Sequence, residues 1–215
     1  KIVSYVNPKS QCLLEEVIEG YRDPKNGEIF PIINSIPRFC KSKNYADNFG
    51  FQWDIYDKTQ LDNFSGSQLT RDRLYGTTGW KSSDIDNCSL LEVGSGAGRF
   101  TQVILSTSNA NVHSIDYSNA VETNLKNNID YIDRLRLSQA SIYEMPFADN
   151  SFDKVICLGV LQHTPSFELS VKKLISKAKK GGEIVVDFYP INGWHTKIHS
   201  KYLLRPFLKR LPKNY

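Results

Sequence analysis

The chain has 215 residues, 40% of them hydrophobic, a size that suits one medium domain with a small extension and a core to hold it. Lys and Arg outnumber Asp and Glu by 27 to 23, but six of the basic residues fall between His195 and Tyr215, so residues 1–194 carry 21 basic and 23 acidic side chains. A slightly acidic body argues against a basic nucleic-acid platform, and no apolar run reaches the length of a membrane span or a leader. Cys12, Cys40, Cys88 and Cys157 form no close pairs, which argues against a disulfide framework and for a reducing, cytoplasmic setting.

Residues 1–42 read as a small β-rich module. Tyr21–Glu28 is turn-rich and leads into the strand-like run Ile29-Phe30-Pro31-Ile32-Ile33-Asn34-Ser35-Ile36-Pro37-Arg38-Phe39. That run resembles the Y-P-I-x-D-G-I-P signature of small zinc-ribbon-like domains, in which flanking cysteine pairs bind zinc. The corresponding positions here are Asn7, Ser10, Asp23 and Asn26. They offer no thiolate, so the resemblance implies a metal-free remnant and no metal ligand is expected.

Residues 43–83 form a lead-in that is dense in aromatic side chains around Phe51, Gln52, Trp53 and Tyr56, with a helix expected over about 67–84. Two readings stay open for it: a lid over a ligand, or an amphipathic helix packed on the core.

The segment Leu90-Leu91-Glu92-Val93-Gly94-Ser95-Gly96-Ala97-Gly98-Arg99-Phe100-Thr101 reads as a buried strand, a glycine turn and a helix start. Glycine turns the backbone sharply at low steric cost and lets it lie against a ligand. The helix start offers free N–H groups. The next strand, Val112–Asp116, ends in a carboxylate placed to accept hydrogen bonds from ribose hydroxyls. A dinucleotide turn would read G-x-G-x-x-G/A, whereas Arg99 occupies the third small position here. Glu92, just before the turn, is within reach of an ammonium group. The pattern suits a nucleoside ligand with a cationic amino acid end; a plain strand–helix connection is the alternative.

Strands are expected at 89–93, 112–116, 135–139, 153–158 and 182–188. Helices are expected after Gly98, from Ser118 to Asp130 and from Phe167 to Lys179. This alternation predicts an α/β fold with a doubly wound, mostly parallel sheet. Cys88 and Cys157 lie in the strand-like runs and read as buried, inert thiols.

Leu90–Thr101 with Ser114–Ser118 resembles the first two motifs of the class I S-adenosylmethionine-dependent methyltransferases. Gln139–Ile156 is similar to that family's run ending in L-P-F and S-F-D-x-V. Leu158–Thr164 resembles its segment after the fourth strand. Lys179-Lys180-Gly181-Gly182-Glu183-Ile184 resembles its K-P-G-G turn, with Lys180 in place of proline. The blocks follow family order over about residues 84–190. The aromatic lead-in resembles that of a bacterial subgroup associated with sugar and cell-surface biosynthesis. The resemblance implies a Rossmann-like fold whose sheet ends in an antiparallel hairpin. The residues after Tyr189 read as tail, so either the chain is expected to be a fragment or the edge of its sheet to be incomplete.

It also implies S-adenosylmethionine as cofactor. Glu92, Gly94, Ser95, Gly96 and Gly98 would surround its methionine part, and Asp116 would hold the ribose. Tyr117, Ser141 and Ile142 would border the adenine, with Ser141 standing where the family often has an aspartate. Leu158 and Gly159 would lie at the tip of the fourth strand. His163 would be the base for an oxygen acceptor, or would only orient its loop.

The implied function is methylation, at oxygen or nitrogen, of a small molecule or of a glycan or cell-surface precursor. Three alternatives remain. A catalytically inactive binding protein of this fold would fit the missing strands and Ser141. A nucleic-acid methyltransferase would call for a broader basic face, or for an Asn/Asp-Pro-Pro-aromatic motif where Leu158-Gly159-Val160-Leu161 stands. An NAD-dependent oxidoreductase is disfavoured by Arg99 and by the lack of a Tyr-x-x-x-Lys pair. The tail over residues 191–215 is basic and partly apolar. It suits peripheral contact with an acidic membrane surface, contact with an anionic substrate, or a solvated surface helix. Oligomeric state is left open.

Overall fold

The computed structural model describes residues 2–40 and 61–188. The proposed lid residues Phe51, Gln52, Trp53 and Tyr56 and the basic tail lie outside the described residues.

Five strands form one parallel sheet: β5 (Ser89–Val93), β6 (Asn111–Asp116), β7 (Leu135–Gln139), β8 (Phe152–Cys157) and β9 (Ala178–Val186), in the order β7-β6-β5-β8-β9. β5 is central and every one of its residues is buried, as a parallel strand covered on both faces requires. Its alternation sorts the core into two layers. Leu91 and Val93 join Ile115, Phe147 and Phe152 on one face, whereas Leu90 joins Val112, Leu135 and Ile156 on the other.

Helices cover the second face. α1 (Asp62–Ser65) is a single turn, and α2 (Leu69–Thr78) buries Leu74. α3 (Arg99–Thr107) buries Phe100, Val103 and Ile104, and α4 (Ala120–Asn127) buries Val121. The single helix expected over 67–84 is instead two pieces. Gly79 takes a left-handed conformation (φ 70°) that ends α2, and a short 3₁₀ helix follows at Ser82–Ile85.

The first face is covered differently. α5 (Phe167–Lys177) packs Leu174 there, but the connection between β7 and β8 contains no helix. The N-terminal module fills the space. Its strands β1 (Glu15–Val17), β2 (Gly20–Arg22), β3 (Ile29–Ile33) and β4 (Ile36–Pro37) form an antiparallel sheet in sequential order. Tyr5 stacks on Phe147 at 5.6 Å between ring centroids and lies 5.1 Å from Phe39, and the Val6 N–H donates to the Pro146 carbonyl at 3.0 Å. The Phe39 N–H donates to the Gln139 carbonyl at 2.8 Å, so the module also caps the tip of edge strand β7. The module shares the main core.

The expected positions Asn7, Ser10, Asp23 and Asn26 lie in two turns, of which three residues are bonded to one another. Asn7 Nδ2 and Ser10 Oγ both donate to Asp23 Oδ2, at 2.7 and 2.6 Å, while Asn26 Oδ1 accepts from the Glu28 N–H. The Ser10 hydroxyl, with further donors, holds the Asp23 carboxyl below the usual range. The hydrogen bonds join the two turns directly.

Cys157 is buried as expected, and burial pushes its thiol up. Cys88 is only half-buried, because it sits in the turn before β5 rather than within the strand.

Candidate functional site

The glycine turn joins the C-terminal end of β5 to α3. Gly94, Gly96 and Gly98 have φ of 81°, 53° and 83°, conformations that residues with a Cβ rarely adopt. Two of them also answer to packing within the protein. A Cβ on Gly94 would lie 2.3 Å from Val160 Cγ2, and one on Gly98 would lie 2.1 Å from Asn124 Oδ1. The loop after β8 and the helix after β6 thus close on the turn from two sides. Ser95 is buried within it and anchors it by donating its N–H to the Ile115 carbonyl at 3.2 Å.

Glu92 is buried beneath this turn at 3% exposure. Its Oε2 accepts from the Thr101 hydroxyl and, at 3.0 Å, from the Ser114 hydroxyl. Among the described residues its Oε1 has no partner. Burial pushes the carboxyl up to about 7, and the two hydroxyls offset only part of that cost. Asn124 extends the network by donating to Thr101 Oγ1 at 3.0 Å and Ser114 Oγ at 3.3 Å. An acid held at one oxygen and unpartnered at the other, behind a glycine turn, fits the cationic end of a ligand.

Asp116 ends β6 as expected. One carboxylate oxygen accepts the Gly96 N–H at 2.8 Å, and the other accepts from the Ser118 N–H at 2.8 Å and its hydroxyl at 2.7 Å. These bonds aim the side chain across the turn. Tyr117 is half-buried beside it, and its carbonyl accepts from Gln139 Nε2 at 3.1 Å. Ser141 is half-buried past the tip of β7, where its hydroxyl accepts the Tyr143 N–H at 3.2 Å, while Ile142 is buried in the core. Tyr117 and Ser141 line one open cavity of about 690 Å³.

Leu158 is buried at the end of β8, and Gly159 turns the chain with φ 76°. The Gly159 N–H donates to Asp187, whose other oxygen pairs with Arg73 at 2.8 Å. His163 ends the 3₁₀ turn Leu161–His163 and is exposed. The turn also places Val160 against Gly94 and so brings this loop to the glycine turn. The expected site residues therefore gather at the C-terminal ends of β5, β6, β7 and β8, where open α/β sheets bind ligands.

Several contributors were not read as site residues in the sequence. Thr101 and Ser114 lie in matched blocks and Asn124 in an expected helix, but only folding brings them around Glu92. Arg73 and Asp187 are 114 residues apart in the chain. Gln139 belonged to a matched block, but only the register β6–β7 places its amide against Tyr117.

Residues 91–186 match the family described as a methyltransferase domain. The chain is similar to the tRNA U34 carboxymethyltransferase of Nautilia profundicola, 26% identical over 117 residues, which cover 51% of this chain and 37% of that protein. It is similar to phosphoethanolamine N-methyltransferase 2 of Caenorhabditis elegans, 28% identical over 106 residues, covering 47% of this chain and 24% of that one. The chain thus spans well under half the length of both curated relatives. Among solved structures, it superposes on one from Methanococcus maripaludis described as an S-adenosyl-L-methionine-dependent methyltransferase, with a TM-score of 0.56 and 19% identity over 79% of this chain and 77% of that one. The parallel sheet with its flanking helices has the Rossmann-like class I methyltransferase fold, preceded by a small antiparallel sheet.

Proposed function

We propose that the protein is an S-adenosylmethionine-dependent methyltransferase acting on oxygen or nitrogen of a small molecule or of a glycan or cell-surface precursor. One observation carries the cofactor reading: two carboxylates bracket the glycine turn, Glu92 buried with one oxygen unpartnered among the described residues and Asp116 aimed across the turn. They suit the two polar ends of this cofactor, an ammonium group and a ribose. The match of residues 91–186 supports the same reading.

The cofactor supplies a methyl group activated on a sulfonium sulfur, for in-line displacement by the acceptor. What the protein contributes is positioning and the exclusion of water. Glu92 orients the amino acid end, Asp116 the ribose, and Tyr117 and Ser141 the base. The loop Leu158–His163 presents the acceptor side, and His163 takes the proton of a hydroxyl acceptor. The near-neutral charge of residues 1–194 favours a small or glycan acceptor over a nucleic acid.

Calorimetry with S-adenosylmethionine, S-adenosylhomocysteine and NAD tests the reading. Both S-adenosyl ligands are expected to bind in the micromolar range and NAD more weakly by at least about tenfold, a 1.4 kcal/mol difference. Tighter binding of NAD would overturn it.

A further inference from the structure

The 690 Å³ cavity has two owners. Tyr117 and Ser141, from the tips of β6 and β7, form its inner wall, and the N-terminal module forms the outer one with Lys9, Phe30, Phe39 and Cys40. Its volume is in the range of small-molecule sites, which are mostly apolar with a few placed polar groups. Tyr117 follows Asp116 in the chain, and with Ser141 it lines this cavity, so the base that these two residues orient in the reading above lies against the inner wall.

The outer wall is held in place by a buried cation. Arg38 also lines the cavity, and its side chain is only 6% exposed. Its guanidinium donates to Gln139 Oε1 at 3.0 Å, to Glu122 Oε1 at 2.5 Å and to the Ile33 carbonyl at 3.1 Å. Gln139, fixed by that bond, turns its amide N–H to the Tyr117 carbonyl at 3.1 Å. The guanidinium therefore ties the module to the inner wall through two hydrogen bonds in series. Truncating it would leave Gln139 and Glu122 without their buried partner.

We propose that the N-terminal module is part of the cofactor site and that its residues Lys9, Phe30, Phe39 and Cys40 form the outer wall of a pocket for the purine base, with Arg38 positioning that wall. The proposal rests on the cofactor reading above. The aromatic rings of Phe30, Phe39 and Tyr117 supply apolar surface for a flat base, and the Ser141 hydroxyl supplies a polar contact at its edge.

Cysteine footprinting on the full chain tests this. The rate of iodoacetamide alkylation is followed at each cysteine by peptide mass spectrometry. Cys40 lies on the outer wall, and half-buried Cys88, in the turn before the N-terminal end of β5, is the internal control. With S-adenosylhomocysteine at about ten times its dissociation constant, roughly a tenth of the protein is free, so Cys40 should react about tenfold more slowly while Cys88 is unchanged. Adenosine should protect Cys40 and L-homocysteine should not. Cys40→Trp, which puts an indole on the lining of the cavity, should weaken S-adenosylhomocysteine at least about tenfold, and unchanged affinity in the folded variant would count against the proposal. If that variant fails to fold, as thermal unfolding would reveal, the footprint on the unaltered chain decides alone. Binding of S-adenosylhomocysteine by calorimetry without protection of Cys40 would overturn this proposal and leave the cofactor reading intact. Absence of binding would overturn both.

Discussion

Glu92→Gln offers a quantitative test of the acid beneath the glycine turn. Burial lifts the Glu92 carboxyl from its ordinary value of 4.5 to about 7. The folded protein therefore holds this proton more tightly than the unfolded chain, so the contribution to stability is full below pH 4.5 and is lost as pH rises through 7. At about 1.4 kcal/mol per pH unit, the ionised carboxylate costs the fold roughly 3 kcal/mol at pH 8, of which roughly 2–3 kcal/mol accrues between pH 5 and pH 8. Glutamine keeps an acceptor for Thr101 and Ser114 but has no charge to bury. Its unpartnered amide adds an offset of about 1–3 kcal/mol that does not vary with pH. His113 acts in the opposite direction. Burial, helped by Arg136, pushes its imidazole down to about 3, so its contribution is lost as pH falls from 6.5 towards 3. That slope is common to both proteins and cancels in their difference. The assay is urea unfolding at pH 5, 6, 7 and 8 without cofactor. The stability of Glu92→Gln relative to the unaltered protein should climb by roughly 2–3 kcal/mol across this range. Parallel curves would refute the argument that Glu92 is buried and raised. The same substitution should weaken S-adenosylhomocysteine by about tenfold to hundredfold if the free oxygen meets its ammonium group.

Two further outcomes follow from the site. Gly98→Ala places a Cβ within 2.1 Å of Asn124 Oδ1 at a φ of 83°, so it should lower stability by about 2–4 kcal/mol even without cofactor, as read by chemical denaturation; a loss under about 0.5 kcal/mol would show that the turn relaxes freely. His163→Ala should leave S-adenosylhomocysteine affinity nearly unchanged and lower turnover of a hydroxyl acceptor by about 10²–10⁴-fold; turnover within about threefold at saturating substrate would assign the exposed imidazole to shaping its loop.

The parallel sheet was legible in the sequence because its signals are local. A central strand buried on both faces is largely apolar, as Leu90, Leu91 and Val93 make β5, and both β5 and edge strand β7 begin and end at the expected residues, 89–93 and 135–139. The glycine turn and the terminal Asp116 were legible for the same reason, since backbone conformation and strand ends are written in adjacent residues. Where one helix was expected over 67–84, the hydrophobic pattern was weak, and a left-handed Gly79 decided the break.

Other features depend on residues far apart in the chain. Periodicity says that Glu92 lies in a buried strand, but its proton affinity is raised by burial beneath the turn and lowered in part by Thr101 and Ser114, which come from α3 and β6. The spacing of the glycines suggests a ligand, yet Gly98 is demanded as firmly by Asn124, which arrives from another helix. The N-terminal module read by itself as a small remnant domain. Only packing shows that Tyr5 and Phe39 complete the face that the helix-free connection from β7 to β8 leaves uncovered. The sequence alone determined the inner strands, the turn and the acid at the strand tip, because each is set by neighbouring residues, whereas edge strand β9, expected at 182–188, begins at Ala178 inside the expected helix. The union of the module with the core belongs to the tertiary structure, because its contacts, such as Arg38 to Gln139 across 101 residues, have no counterpart in local spacing.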